Sequence, residues 1–212
     1  MFGIVRDMKA LLLVIGVVVT GVVVYTWLFS GESTVTNYPL GSTGPVVAFG
    51  DSLVSGVGAA PGNDFVSVLS EQIDEPILNL GQSGDTTQDG VNRIDAVLEQ
   101  EPRLVIILFG GNDFLQRIPP EETFANLGVI IERIHRSGAA VMLLGVRGGL
   151  LRDEYRSQYD QLSETYQTAY IPNVLDGLFG TPEVMSDPVH PNDKGHQLIA
   201  EKILPELELL LN

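Results

Sequence analysis

Residues 45–54 read PVVAFGDSLV, a run of apolar residues followed at once by the tetrapeptide GDSL at residues 50–53. A short apolar run bounded by proline and glycine is typical of a strand that is buried on both faces of a sheet. A serine directly after such a strand presents its hydroxyl at the sheet edge, where N–H groups at the start of the next helix face a developing anion. This stretch therefore predicts an α/β sheet with Ser52 as a candidate nucleophile at its edge.

The rest of the chain alternates short apolar runs with longer amphipathic segments. We expect strands over residues 46–49, 77–80, 104–109 and 140–144. We expect helices where apolar residues recur at helical spacing, over residues 65–73, 91–98, 124–134 and 155–166 and in the segment after Pro191. This alternation predicts an α/β fold, a three-layer α/β/α sandwich on a mostly parallel, doubly wound sheet.

The N-terminal part of the chain is strongly apolar. Residues 10–29 carry no charge, and a helix of that length crosses the roughly 30 Å hydrocarbon core of a bilayer. Arg6 and Lys9 precede this run and the next basic residue is Arg93, so the positive-inside rule places residues 1–9 in the cytoplasm. We therefore expect one N-terminal transmembrane helix, with the rest of the chain on the periplasmic or extracellular side of the membrane.

A cleaved signal peptide is the alternative interpretation of this segment. Its apolar region is usually only about 7 to 15 residues long and ends at a small-residue cleavage site. Tyr25 and Trp27 at the end of the run suit a membrane interface, whereas Gly31 and Ser33 form a poor cleavage site. An anchored protein is the favoured prediction, and a secreted protein follows if the segment is removed.

Two segments follow the predicted anchor. Residues 30–44 are rich in Gly, Ser and Thr, which predicts a flexible linker. Residues 45–212 are long enough to bury a sizeable core, so we expect them to form one domain.

The composition excludes several classes of protein. A formal net charge of −15 argues against nucleic acid or anionic lipid as electrostatic partners, because both reward clustered Lys and Arg. The chain has no cysteine, only three histidines and no His-Glu-x-x-His motif, so we expect no metal. Its glycine clusters lack the Gly-Lys-Ser/Thr ending of a phosphate loop, so we expect no cofactor. The oligomeric state stays open.

Two further polar loops follow predicted strands. One reads SGDT at residues 83–86, and the other reads GGND at residues 110–113. Ligands bind at the carboxyl ends of strands in open α/β sheets. Glycine lets the backbone approach a substrate, and an asparagine side chain donates hydrogen bonds to an oxyanion. These loops are therefore candidate sources of oxyanion donors.

A fourth motif reads DPVH at residues 187–190, just before the last predicted helix. A serine hydroxyl is a poor nucleophile until a base takes its proton, and the usual base is a histidine held by a carboxylate. Only two residues separate Asp187 from His190, so the carboxylate is able to orient the imidazole locally.

Together, the four motifs resemble those of the SGNH (GDSL-type) hydrolases, most closely the bacterial thioesterase I, lysophospholipase and arylesterase branch. The resemblance implies an SGNH/flavodoxin-like fold and a catalytic role for the C-terminal domain. It implies that Ser52 is the nucleophile, that His190 is the base, and that Asp187 orients His190. It also implies an oxyanion hole made by the backbone N–H groups of Ser52 and Gly84 and the side chain of Asn112.

The resemblance also implies a substrate groove between the loops after the third and fourth strands. Its candidate lining residues are Phe114, Leu115, Val146, Arg147 and Gly148. We expect a serine esterase that acts on acyl lipids such as lysophospholipids or fatty acyl esters, or on thioesters. Two alternatives remain: an O-acetyl esterase acting on cell-wall or other polysaccharides, and a non-catalytic, membrane-tethered binding module.

Other polar residues near these motifs are expected to be structural. We expect Asp51 to bind backbone N–H groups of its own loop and Asp85 to cap the helix that follows it. Asn79 and Asp113 are expected to brace the oxyanion loops from behind. His196 is expected to be structural as well.

Overall fold

The computed structural model of the chain describes residues 35–41, 43–146 and 154–212. The predicted cytoplasmic head over residues 1–9 and the predicted anchor over residues 10–29 lie outside these ranges. Within them, no helix combines the length and the apolar character that crossing a bilayer requires.

The first described residues are attached to the folded unit that spans residues 35–212. The N–H group of Thr36 donates to the carbonyl of Gln167 at 2.8 Å. The side chain of Asn37 donates to the carbonyls of His135 and Ala139, both at 2.9 Å. These residues belong to the predicted linker, and the hydrogen bonds hold this part of it against the domain.

Five parallel strands form the sheet, in the order β2-β1-β3-β4-β5. The strands are β1 (Val46–Gly50), β2 (Ile77–Gly81), β3 (Leu104–Leu108), β4 (Ala140–Leu144) and β5 (Ala169–Ile171). The first four match the predicted strands to within one residue at each end. β5 was not predicted, because a strand of three residues is too short to show a hydrophobic pattern.

Six α-helices are present among the described residues. They are α1 (Phe65–Gln72), α2 (Thr87–Leu98), α3 (Gly111–Gln116), α4 (Pro120–Arg136), α5 (Glu154–Tyr166) and α6 (Asp193–Leu211). The short helix α3 was not predicted. α2 begins earlier than predicted because Thr86 and Asp89 form a capping box, in which each side chain accepts the other residue's backbone N–H.

The helices cover both faces of the sheet. α1 packs against α6, whereas α2 packs against α4 and α4 against α5. The crossover from β1 to β2 runs in one direction across the sheet and the crossovers from β2 to β5 run in the other, so the usual right-handed connections place these two groups on opposite faces. β1, β3 and β4 are buried along their whole length, as continuous apolar strands of a covered parallel sheet should be. The prediction of a parallel α/β fold is confirmed.

The strand order brings three loops together. Gly50 at the end of β1 is paired in register with Gly81 of β2 on one side and Leu108 of β3 on the other. β2 is added on one side of β1 and β3 on the other, so the strand order switches between β1 and β3, and such a switch point is where doubly wound sheets bind ligands. The GDSL, SGDT and GGND motifs follow these three strands and therefore lie at one edge of the sheet.

Candidate active site

Ser52 lies in the turn directly beyond β1. In this turn the N–H of Ser55 is bonded to the carbonyl of Asp51 and the N–H of Val57 to that of Ser52, both at 3.0 Å. Ser52 is buried, with 8% of its surface exposed. Its Oγ atom lies 3.1 Å from Nε2 of His190, within hydrogen-bonding distance.

His190 is held on its other side by Asp187. Its Nδ1 atom lies 2.7 Å from Oδ2 of Asp187. The Oδ1 atom of the same carboxylate accepts the N–H groups of Val189 and His190, both at 2.8 Å. The hydrogen bond from His190, followed by that from Val189, lowers the pKa of Asp187 to about 2. The carboxylate is therefore ionised at neutral pH and holds the proton of His190 on Nδ1, which leaves Nε2 free to accept a proton from Ser52.

The loop that carries this pair is closed by further hydrogen bonds. The backbone N–H and the hydroxyl of Ser186 donate to the carbonyl of His190, at 2.9 and 3.0 Å. Asn192 caps α6 by accepting the N–H of Gly195 at 3.1 Å. The position of His190 is therefore set by its own loop and by the start of α6.

Asn112 projects from the first turn of α3. Its Nδ2 atom donates to the carbonyl of Asp85 at 2.8 Å. An amide nitrogen carries two hydrogens, so the second N–H of Asn112 stays available, and Asn112 lines the same groove as Ser52. Gly84 directly precedes Asp85 and has a φ of +90°, a conformation that glycine adopts without strain. Gly84 is exposed and does not belong to the described lining of the groove.

A groove of about 320 Å³ opens in front of Ser52 and His190. Its wall is mostly apolar, formed by Leu53, Phe114, Leu115, Val146, Leu175, Phe179, Pro188 and Val189. Three predicted lining residues, Phe114, Leu115 and Val146, are part of this wall, whereas Arg147 and Gly148 lie outside the described residues. A groove of this size and character accommodates a small apolar group such as an acyl chain.

Part of the wall was missed by sequence reasoning. Leu175 and Phe179 follow β5, and this strand had not been recognised. The rule that flagged the other loops, that ligand-binding residues follow the carboxyl ends of strands, would have found them once β5 was known.

Three polar side chains bind the backbone around the site, and one of them, Asp51, also lines the groove. Oδ1 of Asp51 accepts the N–H of Leu53 at 3.0 Å, and burial raises the pKa of this carboxyl group to about 7. The side chain of Asn79 donates to the carbonyl of Val54 at 2.7 Å. Asp113 accepts the N–H of Thr87 at 2.9 Å, which ties α3 to the start of α2. These contacts agree with the structural roles predicted for the three residues.

Asp85 does not cap α2, contrary to our expectation. Thr86 is the capping residue, and the carboxylate of Asp85 instead forms an ion pair with Arg93. Thr86 occupies the N-cap position, so Asp85 lies one residue before the cap, where Arg93 is within reach of its carboxylate.

His196 is fully buried and bridges two backbone segments. Its Nδ1 atom accepts the N–H of Phe65 at 3.3 Å, and Nε2 donates to the carbonyl of Val57, also at 3.3 Å. Burial lowers the pKa of this histidine, which favours the neutral form. His196 therefore has a structural role.

No cluster of three or more acidic, histidine or cysteine side chains within residues 35–41, 43–146 and 154–212 is arranged to bind a metal ion.

Comparison with known proteins identifies the family. Residues 48–198 match the model of the GDSL-like lipase/acylhydrolase family. The arylesterase of Vibrio mimicus is 32% identical over 174 residues, which cover 76% of this chain and 87% of the relative. The thioesterase 1/protease 1/lysophospholipase L1 of Escherichia coli strain K12 is 27% identical over 176 residues, which cover 79% and 85%.

A solved structure supports the same assignment. The crystal structure of TesA matches with a TM-score of 0.73 and 28% sequence identity, covering 79% of this chain and 99% of that chain. The family match spans the region from β1 to the start of α6, which contains Ser52, Asn112, Asp187 and His190. The resemblance seen in the sequence motifs is confirmed: the chain belongs to the GDSL-like lipase/acylhydrolase family, a family of ester-hydrolysing serine hydrolases.

Proposed function

We propose that this protein is a serine esterase that hydrolyses the ester or thioester bonds of acyl lipids through an acyl-enzyme on Ser52. The observation that carries the proposal is the row formed by Asp187, His190 and Ser52, which opens onto an apolar groove.

In the first half of the proposed reaction, Oγ of Ser52 attacks the acyl carbonyl carbon while Nε2 of His190 takes the hydroxyl proton. The ionised carboxylate of Asp187 stabilises the imidazolium that forms. The carbonyl oxygen becomes an oxyanion, which the N–H groups of Ser52 and Gly84 and the amide of Asn112 stabilise. The carbon–oxygen or carbon–sulfur bond to the leaving group then breaks, and His190 gives its proton to that group.

In the second half, water releases the acyl group. His190 takes a proton from the water as its oxygen attacks the acyl-enzyme, and a second oxyanion forms in the same place. Collapse of this intermediate breaks the bond to Oγ, and His190 returns the proton to Ser52. The products are a free carboxylic acid and the original enzyme.

The character of the groove supports an acyl lipid as the substrate. Its wall exposes more apolar than polar surface, and each methylene group that leaves water for such a wall contributes about 0.8 kcal/mol of binding. The relatives include an arylesterase and a thioesterase/lysophospholipase, whose names are consistent with acyl esters and thioesters as substrates. Lysophospholipids and fatty acyl esters fit this chemistry, and both are available outside the cytoplasm.

We further propose that residues 10–29 anchor the enzyme to a membrane, with the catalytic domain on the periplasmic or extracellular side. The support is the uncharged length of this segment and the basic residues Arg6 and Lys9 before it. Membrane fractionation followed by N-terminal sequencing tests the proposal. Retention of residue 1 in a carbonate-resistant membrane fraction is expected, and a soluble form that begins after residue 29 would contradict it.

The experiment that tests the enzymatic proposal uses the full 212-residue chain and p-nitrophenyl esters from acetate to palmitate. We expect hydrolysis that peaks at a medium or long acyl chain and disappears in Ser52→Ala. Ser137→Ala is the matched control, because Ser137 ends α4 with a hydrogen bond to Ile134 and lies outside the groove. A peak at acetate alone would indicate an acetyl esterase. Absence of Ser52-dependent hydrolysis would support a binding module.

A further inference from the structure

The guanidinium group of Arg93 in α2 binds three acceptors at the edge of the sheet. Nε is bonded to the carboxylate of Asp85, Nη1 donates to the carbonyl of Leu80 at 2.7 Å, and Nη2 donates to that of Gly50 at 2.7 Å. The group also lies over the ring of Phe49, 4.4 Å from the ring centroid. Every nitrogen of the side chain is therefore engaged.

Two of the three acceptors lie beside the proposed oxyanion hole. Gly50 ends β1, two residues before Ser52. Asp85 directly follows Gly84, and its carbonyl holds the amide of Asn112. Arg93 itself does not line the groove as the structure describes it. Its one side chain thus reaches groups beside all three proposed donors and lies outside the substrate site.

The geometry requires arginine. A guanidinium group is planar, always charged and carries five N–H donors in a rigid fork, so it can hold two strand ends and a carboxylate at once. A lysine ammonium is a single point of charge on a flexible stem, and it cannot keep the three acceptors at fixed mutual positions. Asp85 is buried, and its ion pair with Arg93 offsets the cost of that burial.

We propose that Arg93 is a positioning residue for the oxyanion hole. It fixes the loop after β1 against the loop after β2, and through Asp85 it fixes Asn112, so that the donors of both loops and α3 converge on one point. This inference rests on the proposed function, because it assumes that the donors stabilise an oxyanion. Donors must be placed in advance to stabilise developing charge, so a small displacement lowers the rate of the chemical step more than substrate binding.

The test measures kcat and KM of Arg93→Lys in the full-length chain with p-nitrophenyl butyrate. We expect kcat to fall about tenfold to a hundredfold and KM to change less than about threefold, a smaller loss than deletion of a donor causes. Arg103→Lys is the matched control. Arg103 also binds a carbonyl, that of Gly44 at 3.0 Å, and a carboxylate, that of Glu75 at 2.6 Å, but it does so at the opposite end of the sheet. Its kcat should stay at the wild-type value.

A double-mutant cycle separates positioning from a general loss of structure. If Arg93 acts through the oxyanion hole, Arg93→Lys should lower kcat by a smaller factor once Asn112→Ala has removed one of the three donors. An equal fold loss in both backgrounds, or a kcat equal to that of Arg103→Lys, would overturn the inference.

Thermal unfolding by circular dichroism checks that each variant is folded. If Arg93→Lys does not fold, Asp85→Asn takes its place in the cycle, because it removes the carboxylate and keeps the carbonyl that holds Asn112. If neither variant folds, Arg93 is a determinant of the fold, and the positioning role is overturned. Lack of Ser52-dependent hydrolysis in the wild type would instead refute the proposed function, and the inference with it.

Discussion

Nε2 of His190 lies 3.1 Å from Oγ of Ser52, although the two are 138 positions apart in the chain. The contact is productive only if the proton of His190 resides on Nδ1, which Asp187 holds at 2.7 Å. The contact between Ser52 and His190 therefore depends on Asp187, and the effect of Asp187 on catalysis can be measured.

Replacement of Asp187 by asparagine should lower kcat by up to about 10⁴-fold, because an amide no longer fixes the tautomer of His190 or stabilises its imidazolium form. KM should change little. Steady-state kinetics on a p-nitrophenyl ester measures both values. The matched control is Asp193→Asn, since Asp193 also accepts a backbone N–H and a side-chain N–H, from Ala60 and Asn63, away from the groove. Equal kinetics for the two variants would contradict the proposed role of Asp187.

The low pKa of Asp187 has a consequence for stability. Because folding lowers the pKa from 3.8 to about 2, the stabilisation from this carboxylate is complete above pH 3.8 and is lost as the pH falls towards 2. Asp187→Asn should therefore narrow the difference in stability between neutral and strongly acidic pH, as measured by urea unfolding. An unchanged difference would argue against the carboxylate as its source.

Replacement of Asn112 by alanine should lower kcat about a hundredfold to a thousandfold, the usual effect of removing one oxyanion donor. Activity should remain measurable, because the backbone donors stay in place. Asn126→Ala serves as the control: its amide donates to Thr87 at 3.2 Å near the start of α2, and it does not line the groove. Near wild-type kcat in Asn112→Ala would show that this amide does not face the oxyanion.

Replacement of Asp51 by asparagine should change how stability depends on pH. Below pH 3.8 the carboxyl group of Asp51 is neutral in both the folded and the unfolded protein. Between pH 3.8 and about 7 it is ionised only in the unfolded protein. Its contribution to the free energy of unfolding therefore falls as the pH rises through this window, by an amount on the order of a few kcal/mol.

Asparagine at position 51 still offers an oxygen to the N–H of Leu53 but carries no charge to bury. The free energy of unfolding of Asp51→Asn minus that of the wild type should therefore be greater at pH 8 than at pH 4, as measured by urea unfolding at both pH values. The opposite sign, or no change between the two values, would show that burial does not hold the proton on Asp51.

Replacement of Phe179 by alanine should reduce the preference for longer acyl chains. Phe179 lines the groove and is 37% exposed, so its removal takes away apolar surface from the wall. We expect the ratio of kcat/KM for octanoate to that for acetate to fall about tenfold, which corresponds to roughly 1.4 kcal/mol of lost binding. Val129→Ala, which changes an exposed apolar residue of α4 outside the groove, should leave the ratio unchanged. A ratio that is also unchanged in Phe179→Ala would place the acyl chain elsewhere.

Much of the fold was predictable because buried strands require apolar residues, which are visible in the sequence. β1, β3 and β4 are covered on both faces, so each is an unbroken apolar run. β5 and α3 escaped prediction because three and six residues are too few to show a period. Because β5 was not predicted, the groove residues Leu175 and Phe179, which follow it, were not predicted either.

In the candidate site, too, some features were predictable from the sequence and others depended on the tertiary structure. The sequence by itself determined the candidate catalytic groups. It also determined the proximity of Asp187 to His190, because only two residues lie between them and one turn closes the hydrogen bond. Only the tertiary structure decided that His190 reaches Ser52, since that contact depends on how α6 and its preceding loop pack beside β1. The tertiary structure alone also paired Asp85 with Arg93, because the partner of a buried charge is set by which cation packing brings within reach.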